Sequence, residues 1–407
     1  MKVITEKPNH IANEEFNIGN HNWDDPESLA ISQTSMHNLF RTIAIERGTI
    51  TYPLSYSTNQ LNINNAELID PLRKNQTITG EQFLNRRLYN DALLVMHKGQ
   101  VIHESYRNGM TENDRHVLHS CTKSINAMLI FIAMDEGLLK RNDLISKYIE
   151  PFNNRAEWDS VTIQYVLDMQ AGIEYSEDYT DPNAHYWHYA RAAGYYPPLE
   201  GEEAIGAKAW MLENLNTRIH TPGAAFVYNS CLSNVLGMVL ESIYQKNLGL
   251  ILEEKLYSKI GAEHDGFMNT DPQGFPIIEG QFNLHLRDFA RLAFPIISKG
   301  KNINGEQIIN PDFIDQLFTP DEKAKNIYQA ETIDNIFPSG QYHDQFWIVE
   351  PEQKQFTMLG IHGQFAWFDI DKDLMAVGFG SYPKQDSDLM MTCLKTLWRY
   401  LSDTYSE

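Results

Sequence analysis

Cysteine is scarce in this chain of 407 residues. It holds three, Cys121, Cys231 and Cys393, with no paired spacing. That excludes a disulfide framework and a zinc ribbon. Positive charge is also short: Lys+Arg 33 against Asp+Glu 54 leaves a net charge of −21. An acidic surface of this kind repels phosphate, so neither nucleic acid nor an anionic membrane surface is expected as a partner. No run reaches the roughly 18 unbroken apolar residues of a membrane span. The start, Met1-Lys2-Val3-Ile4-Thr5-Glu6-Lys7-Pro8, lacks the apolar core of a secretory signal, which makes the cytoplasm the default expectation. No Gly-x-Ser-x-Gly elbow occurs, which disfavours an α/β-hydrolase. No phosphate-cradling glycine loop precedes a helix, and Gly378-Phe379-Gly380 lies late in a strand before Pro383. His116/His119 and His185/His188 have His-x-x-His spacing without a His-Glu-x-x-His helix. No metal and no cofactor is therefore expected.

What remains is ordinary globular composition, 42% hydrophobic and 21% charged. The length suits two domains or one large domain with an insertion. Residues 1–35 are polar and Asn-rich and read as an arm. Ala92–His97 and Val101–Tyr106, joined by Lys98-Gly99, read as a hairpin. Helices are expected at Ile163–Met169 capped by Thr162, Glu203–Asn214, Ser230–Tyr244, Leu248–Lys259 and Leu286–Ile297, with a Tyr-rich loop over 171–200. Phe346–Val349, Gln355–Leu359, Gln364–Ile370 and Leu374–Phe379 read as a strand meander. Asp386–Leu401 carries an apolar stripe at helical spacing. Strands at both ends with helices between them make an α+β pattern, not alternating βαβ. One antiparallel sheet is expected from residues 36–118 plus 341–407. A mainly helical region, 119–340, would be inserted between its parts.

Three constellations carry chemistry. Ser120 and Lys123 stand three apart at the start of a long apolar helix, hence on one face. A serine beside a desolvated amine is a recognisable activated nucleophile, and burial lowers a lysine pKa towards working pH. Ser-x-x-Lys recurs at Ser298-Lys301 and Ser381-Lys384. The first of these is a polar turn, and the second is interrupted by Pro383. The plain alternative for Ser120 is a helix cap with Lys123 reaching for solvent. Tyr228-Asn229-Ser230 directly before a helix points two hydroxyls one way; a core tyrosine beside a capping serine is its alternative. Gly360-Ile361-His362-Gly363-Gln364 opens a strand at which a substrate could approach the backbone closely. A strand N–H here, together with that of Ser120, would make an oxyanion hole; a hairpin glycine is the plain alternative.

These three elements in this order resemble the serine β-lactamase and penicillin-binding superfamily. The likeness is strongest to its class C-like branch of aminohexanoate-dimer (nylon-oligomer) hydrolases and esterases, and covers roughly 84–400. Gly172-Ile173-Glu174-Tyr175-Ser176-Glu177-Asp178-Tyr179 is similar to that branch's substrate loop, and Leu286-Arg287-Asp288-Phe289-Ala290-Arg291 to a scaffold segment. The resemblance implies a β-lactamase/transpeptidase-like fold, with an antiparallel sheet flanked by N- and C-terminal helices and a helical insertion domain. It implies Ser120 as the acylated nucleophile, Lys123 as its base and Tyr228 as the relay to the leaving group. Ser230 would hold the Lys–Tyr network, and His362, Gly363 and Gln364 form the third, oxyanion motif. Tyr179, more than Tyr175, would contact an amide substrate, and Asn283 would line the pocket. Ile361 and His362 stand where penicillin-recognising enzymes place Lys and Thr, and Ser230 replaces an asparagine. Both departures argue against β-lactam hydrolysis.

The expected activity is a serine hydrolase forming an acyl-enzyme on a small-molecule ester or amide, linear amide oligomers included. The alternatives are a β-lactamase or D-alanyl-D-alanine carboxypeptidase-type peptidase, and a non-catalytic binding protein on the same scaffold. Oligomeric state is open, and a homodimer is compatible with the sequence.

Overall fold

The computed structural model describes residues 17–73, 75–318, 322–331 and 336–405. Its centre is an eight-stranded sheet. In spatial order the strands are Gln341–His343, Phe346–Glu350, Gln355–Gly360, Gln364–Asp369, Leu374–Gly380, Asn90–His97, Gln100–Tyr106 and Ser55–Tyr56. All neighbours are antiparallel except Ser55–Tyr56, which runs parallel to Gln100–Tyr106. Leu374–Gly380 pairs with Asn90–His97, so the late meander and the early hairpin join edge to edge. The hairpin closes through Lys98 and Gly99, both at positive φ (49° and 73°), the two-residue turn whose twist matches its strands.

The inner strands are buried on both faces, which explains their near-continuous apolar runs. One face carries the helix Asp388–Thr404. There Trp398 stacks on Trp367 at 6.2 Å, and the Ser402 hydroxyl donates to Asp369. On the other side Phe289 of the helix Leu286–Ile297 stacks on Phe379. The helix Cys121–Asp135 is buried from Cys121 to Ala133, as an all-round apolar helix must be. Two of its polar side chains tie it to neighbouring elements. Asn126 Nδ2 donates to the Ser233 carbonyl on the helix Ser230–Tyr244, and the Ser124 hydroxyl donates to the Gln345 carbonyl.

The structure differs from the sequence reading at several points. The described part of the supposed arm, 17–35, is not an arm. It packs against the body through Trp23 and the helix Leu29–Leu39, while 1–16 lie outside the described residues. The region 119–340 is not helical throughout. Gly266–Asn269 and Phe282–Leu284 join Thr42–Ile45 and His116–Val117 in a four-stranded sheet. A helix, His185–Ala192, stands inside the loop 171–200. The expected helix Glu203–Asn214 begins only at Ala207, because Gly206 takes φ 94°. The helix from Leu248 ends at Lys255 and continues as a 3-10 turn, Tyr257–Lys259. No helix among the described residues is long and apolar enough to cross a membrane.

Candidate active site

Ser120 is the residue before the helix Cys121–Asp135, already in helical conformation, with no side-chain cap bond. Its hydroxyl is thus free of the capping role. The preceding residue, His119, holds φ 44°, a left-handed conformation uncommon for a non-glycine residue. Packing fixes it there. His119 Nε2 meets Gln33 Oε1 at 2.6 Å, and its ring stacks on Trp23 with centroids 6.1 Å apart. Burial keeps the His119 imidazole neutral. Gly360 lies against this turn. A Cβ there would sit 2.6 Å from the Leu118 carbonyl oxygen, so a bare backbone is what lets the strand end approach the nucleophile.

Lys123 Nζ donates to Ser120 Oγ at 2.7 Å and to the Glu279 carbonyl oxygen at 2.7 Å. Its side chain is 1% exposed. The Tyr228 phenol interacts with both the Ser120 and Lys123 side chains, and Nζ lies 5.3 Å from the Tyr228 ring centroid. Tyr228 is held from behind by Trp347, stacked at 5.6 Å. The hydroxyl, amine and phenol singled out from the sequence therefore converge at one place.

The protonation pattern differs from the sequence expectation. Burial does disfavour the Lys123 ammonium. Tyr228 and the carboxyl groups of Glu177 and Glu279 more than offset it, so Lys123 stands above the ordinary lysine range. Burial likewise pushes the Tyr228 phenol up, against the pull of Lys123. At rest the pair therefore holds both protons.

Two carboxyl groups without an assigned role in the sequence shape this environment. Glu279 Oε2 is 4.0 Å from Lys123 Nζ. Its Oε1 receives the phenols of Tyr195 (3.2 Å) and Tyr189 (3.4 Å), and its N–H donates to Asn234 Oδ1 at 3.2 Å. Burial, opposed by Lys123, raises its pKa to about 7. A charged residue between the apolar pair Ile277-Ile278 and a glycine was the available signal, since glutamate is rarely buried without purpose. Glu177 receives the Ser230 hydroxyl at 2.7 Å, the Ser230 N–H at 2.9 Å and the Tyr179 phenol at 2.8 Å. Ser230 thus turns to Glu177 rather than to the Lys–Tyr pair, and it acts on that pair only through the carboxylate.

A narrow cleft opens over Ser120, lined among others by Trp23, Glu177, Tyr179, Ser230, Glu279 and Ile361. Among the described residues no lysine or arginine lines it; Lys123 lies behind Ser120. Several expected site residues are elsewhere. His362 is fully buried at φ 62°; its Nδ1 donates to the Tyr382 carbonyl at 2.7 Å, and burial lowers its pKa to about 4. Gln364 spends its amide on Gly380, accepting its N–H at 3.0 Å and donating to its carbonyl at 2.7 Å. Gly363 is also buried. In the third motif it is Ile361 that faces the cleft. Tyr175 is buried against His185 and does not line the cleft, whereas Tyr179 does. Asn283 is a scaffold residue. It is 0% exposed, and its amide donates to Phe267 O, Gln281 O and Asn269 Oδ1 in the small sheet.

Two groups among the described residues have the donor types of a metal site: His264/His285/Asp288 and Asp168/His343/Asp344. Ion pairs engage part of each group, while His285 Nδ1 in the first and Asp344 Oδ2 in the second have no hydrogen-bond partner. Asp288 accepts the Glu263 and His264 N–H groups and is paired with fully buried Arg291 at 3.1 Å. His343 is wedged between Asp168 (2.9 Å) and Asp344 (3.3 Å), and despite its burial the two carboxylates raise its pKa to about 9.

Residues 66–388 match the Beta-lactamase family model. The 6-aminohexanoate-dimer hydrolase of Paenarthrobacter ureafaciens is 28% identical over 298 residues, 73% of this chain and 74% of that protein. A Bacillus anthracis structure assigned to the same hydrolase type superposes with TM-score 0.82 at 21% identity, over 97% of this chain and 99% of that one. A family VIII carboxylesterase shares the fold, with TM-score 0.54 at 16% identity over 78% of this chain and 94% of that one. With a family match spanning most of its length and the Ser120–Lys123 pair in place, the chain belongs to the Beta-lactamase family of serine hydrolases.

Proposed function

We propose that this protein hydrolyses carboxylic esters and small amides through an acyl-enzyme on Ser120. The observation that carries the reading is the 2.7 Å contact between Lys123 Nζ and Ser120 Oγ on the floor of a cleft. One proton first leaves the Lys123–Tyr228 pair; the charge it leaves on Tyr228 rests beside the Lys123 ammonium. Tyr228 then takes the Ser120 proton as Oγ bonds to the substrate carbonyl carbon. The carbonyl oxygen becomes an oxyanion, for which the N–H groups of Ser120 and Ile361 are the donors. Such a donor is worth about 2.7–4 kcal/mol in related acyl transfer. Collapse breaks the bond to the alkoxy or amine group, which leaves with the proton held by Tyr228. Water, activated by the same pair, then releases the acid.

An amine-bearing amide suits the cleft best. Glu177 and Glu279 line it and no cationic side chain does, so a substrate ammonium is favoured over a carboxylate. This agrees with the 6-aminohexanoate dimer in the name of the Paenarthrobacter relative. A β-lactamase or carboxypeptidase role is opposed by Ile361 and His362 in the third motif, which bring no cationic side chain to a carboxylate beside the scissile bond. A binding protein without turnover is opposed by the intact Ser120, Lys123 and Tyr228 set. The test is turnover of matched nitrophenyl esters, aminoacyl amides and a penicillin by the wild type and Ser120→Ala. Hydrolysis of the first two, abolished in the variant, is expected. Undiminished ester hydrolysis by Ser120→Ala contradicts the reading.

A further inference from the structure

The segment 17–40 lies outside the family match, which begins at residue 66, yet it reaches the nucleophile. Trp23 is 1% exposed and lines the cleft together with Ser120 and Ile361. Three partners fix its ring. Its Nε1 donates to the Tyr195 carbonyl at 3.1 Å, one face stacks on His119, and Tyr196 packs at 5.7 Å. The rest of the segment bridges both halves of the molecule. Asp24 Oδ2 receives the Tyr196 phenol at 2.5 Å and Gln385 Nε2 at 3.4 Å, and Gln33 holds His119. Tyr196 belongs to the helical side, and Gln385 follows the last strand of the large sheet.

We infer that Trp23 is a specificity-determining residue: it forms the wall against which the acyl part of the substrate lies, and so limits the acyl groups Ser120 accepts. This rests on the acyl-enzyme reading above. The leaving group must depart towards Tyr228, the phenol that protonates it. Tyr228 belongs to a separate aromatic set with Trp347 and Tyr342, and Ser230, two residues on, marks that side of the cleft together with Glu177, which accepts its hydroxyl. The acyl portion is left with the other wall, built by Trp23, the His119 turn and Ile361. A rigid indole packed on three sides does not move aside for a longer chain. An enzyme with this wall therefore discriminates by acyl size through a segment outside the family match.

The test compares two substrate series on the full chain. One varies the acyl group from acetyl to decanoyl with nitrophenol as leaving group; the other varies the alcohol with acetyl held constant. Trp23→Ala is expected to shift the ratio of kcat/KM for long over short acyl groups upward by about tenfold, within the range a hydrophobic pocket supplies. The alcohol series should keep its order. Trp23→Phe, which shortens the wall and retains an aromatic ring, is expected to shift the acyl ratio in the same direction by less. An unchanged acyl ratio in both variants, or a shift confined to the alcohol series, overturns the inference. Fluorophosphonate labelling of Ser120, run alongside, separates the two levels. Labelling intact with acyl preference unchanged defeats the Trp23 assignment alone, whereas absent labelling in the wild type defeats the acyl-enzyme reading as well.

Discussion

Replacing Glu279 by Gln removes a buried charge 4.0 Å from Lys123 Nζ and keeps the side-chain volume. The backbone carbonyl that accepts from Nζ at 2.7 Å is untouched. Both partners are nearly fully buried, so solvent does little to screen them. At this separation and an effective dielectric of about 20, two unit charges interact by roughly 4 kcal/mol. That sets an upper bound of about 3 pH units on the effect. Glu177 remains as a second acidic neighbour, and opposite charges at such distances shift a pKa by about 1–3 units. The sign follows from the order of titration. Glu279 ionises near 7, below the raised Lys123, so the Lys123–Tyr228 pair loses its proton in the wild type against an ionised Glu279. Without that carboxylate the Lys123–Tyr228 pair releases its proton more readily. The rising limb of kcat/KM against pH should move to lower pH by about 1–3 units. An inflection near pH 7, from Glu279 itself, should vanish. The assay is ester hydrolysis under first-order conditions from pH 5 to 10. A limb that moves to higher pH, or stays in place while activity merely falls, refutes the assigned proton balance.

Lys123→Ala and Tyr228→Phe should each cost large factors in kcat. The double variant should lose little more than the worse single one, because groups acting as a unit are not additive; a loss equal to the product would mean independent roles. His343 carries a pKa raised to about 9, above the ordinary histidine value. Its stabilisation is complete below about pH 6.5 and lost as pH rises through 9, about 3 kcal/mol in all. Urea unfolding at pH 6 and 9.5 should show that fall in the wild type and a flatter profile in His343→Gln. Asn283→Ala should lower stability by about 1–3 kcal/mol by orphaning buried backbone acceptors. Its KM should stay unchanged, which a pocket-lining role would not allow.

The elements with strong periodicity were readable residue by residue. Ser230–Tyr244 and Leu286–Ile297 begin and end where their apolar pattern does. The meander was readable because each strand is bounded by turn residues, Lys354 at φ 48° and Asp373 at φ 47° among them. The four-stranded sheet was not, since its strands run two to four residues, too short for alternation to register. The helix His185–Ala192 hid in a mixture of Tyr, Trp and His with little helical preference. Within the site, Ser120, Lys123 and Tyr228 were legible because each sits at a helix start in an ordered set of motifs. Glu279 and Trp23 reach the site only through tertiary packing, from 156 residues after Lys123 and from a polar N-terminal stretch. The third motif misled in detail. Its polar members, His362 and Gln364, satisfy backbone groups, while the apolar Ile361 faces the cleft.

The most direct measurement is rapid quenching during turnover of a nitrophenyl ester, followed by mass spectrometry of the digested chain. The account predicts one acyl adduct, on the peptide carrying Ser120, that forms with the burst of nitrophenol and forms far more slowly in Tyr228→Phe. Turnover with no adduct on that peptide, or an adduct that persists in Ser120→Ala, would contradict it.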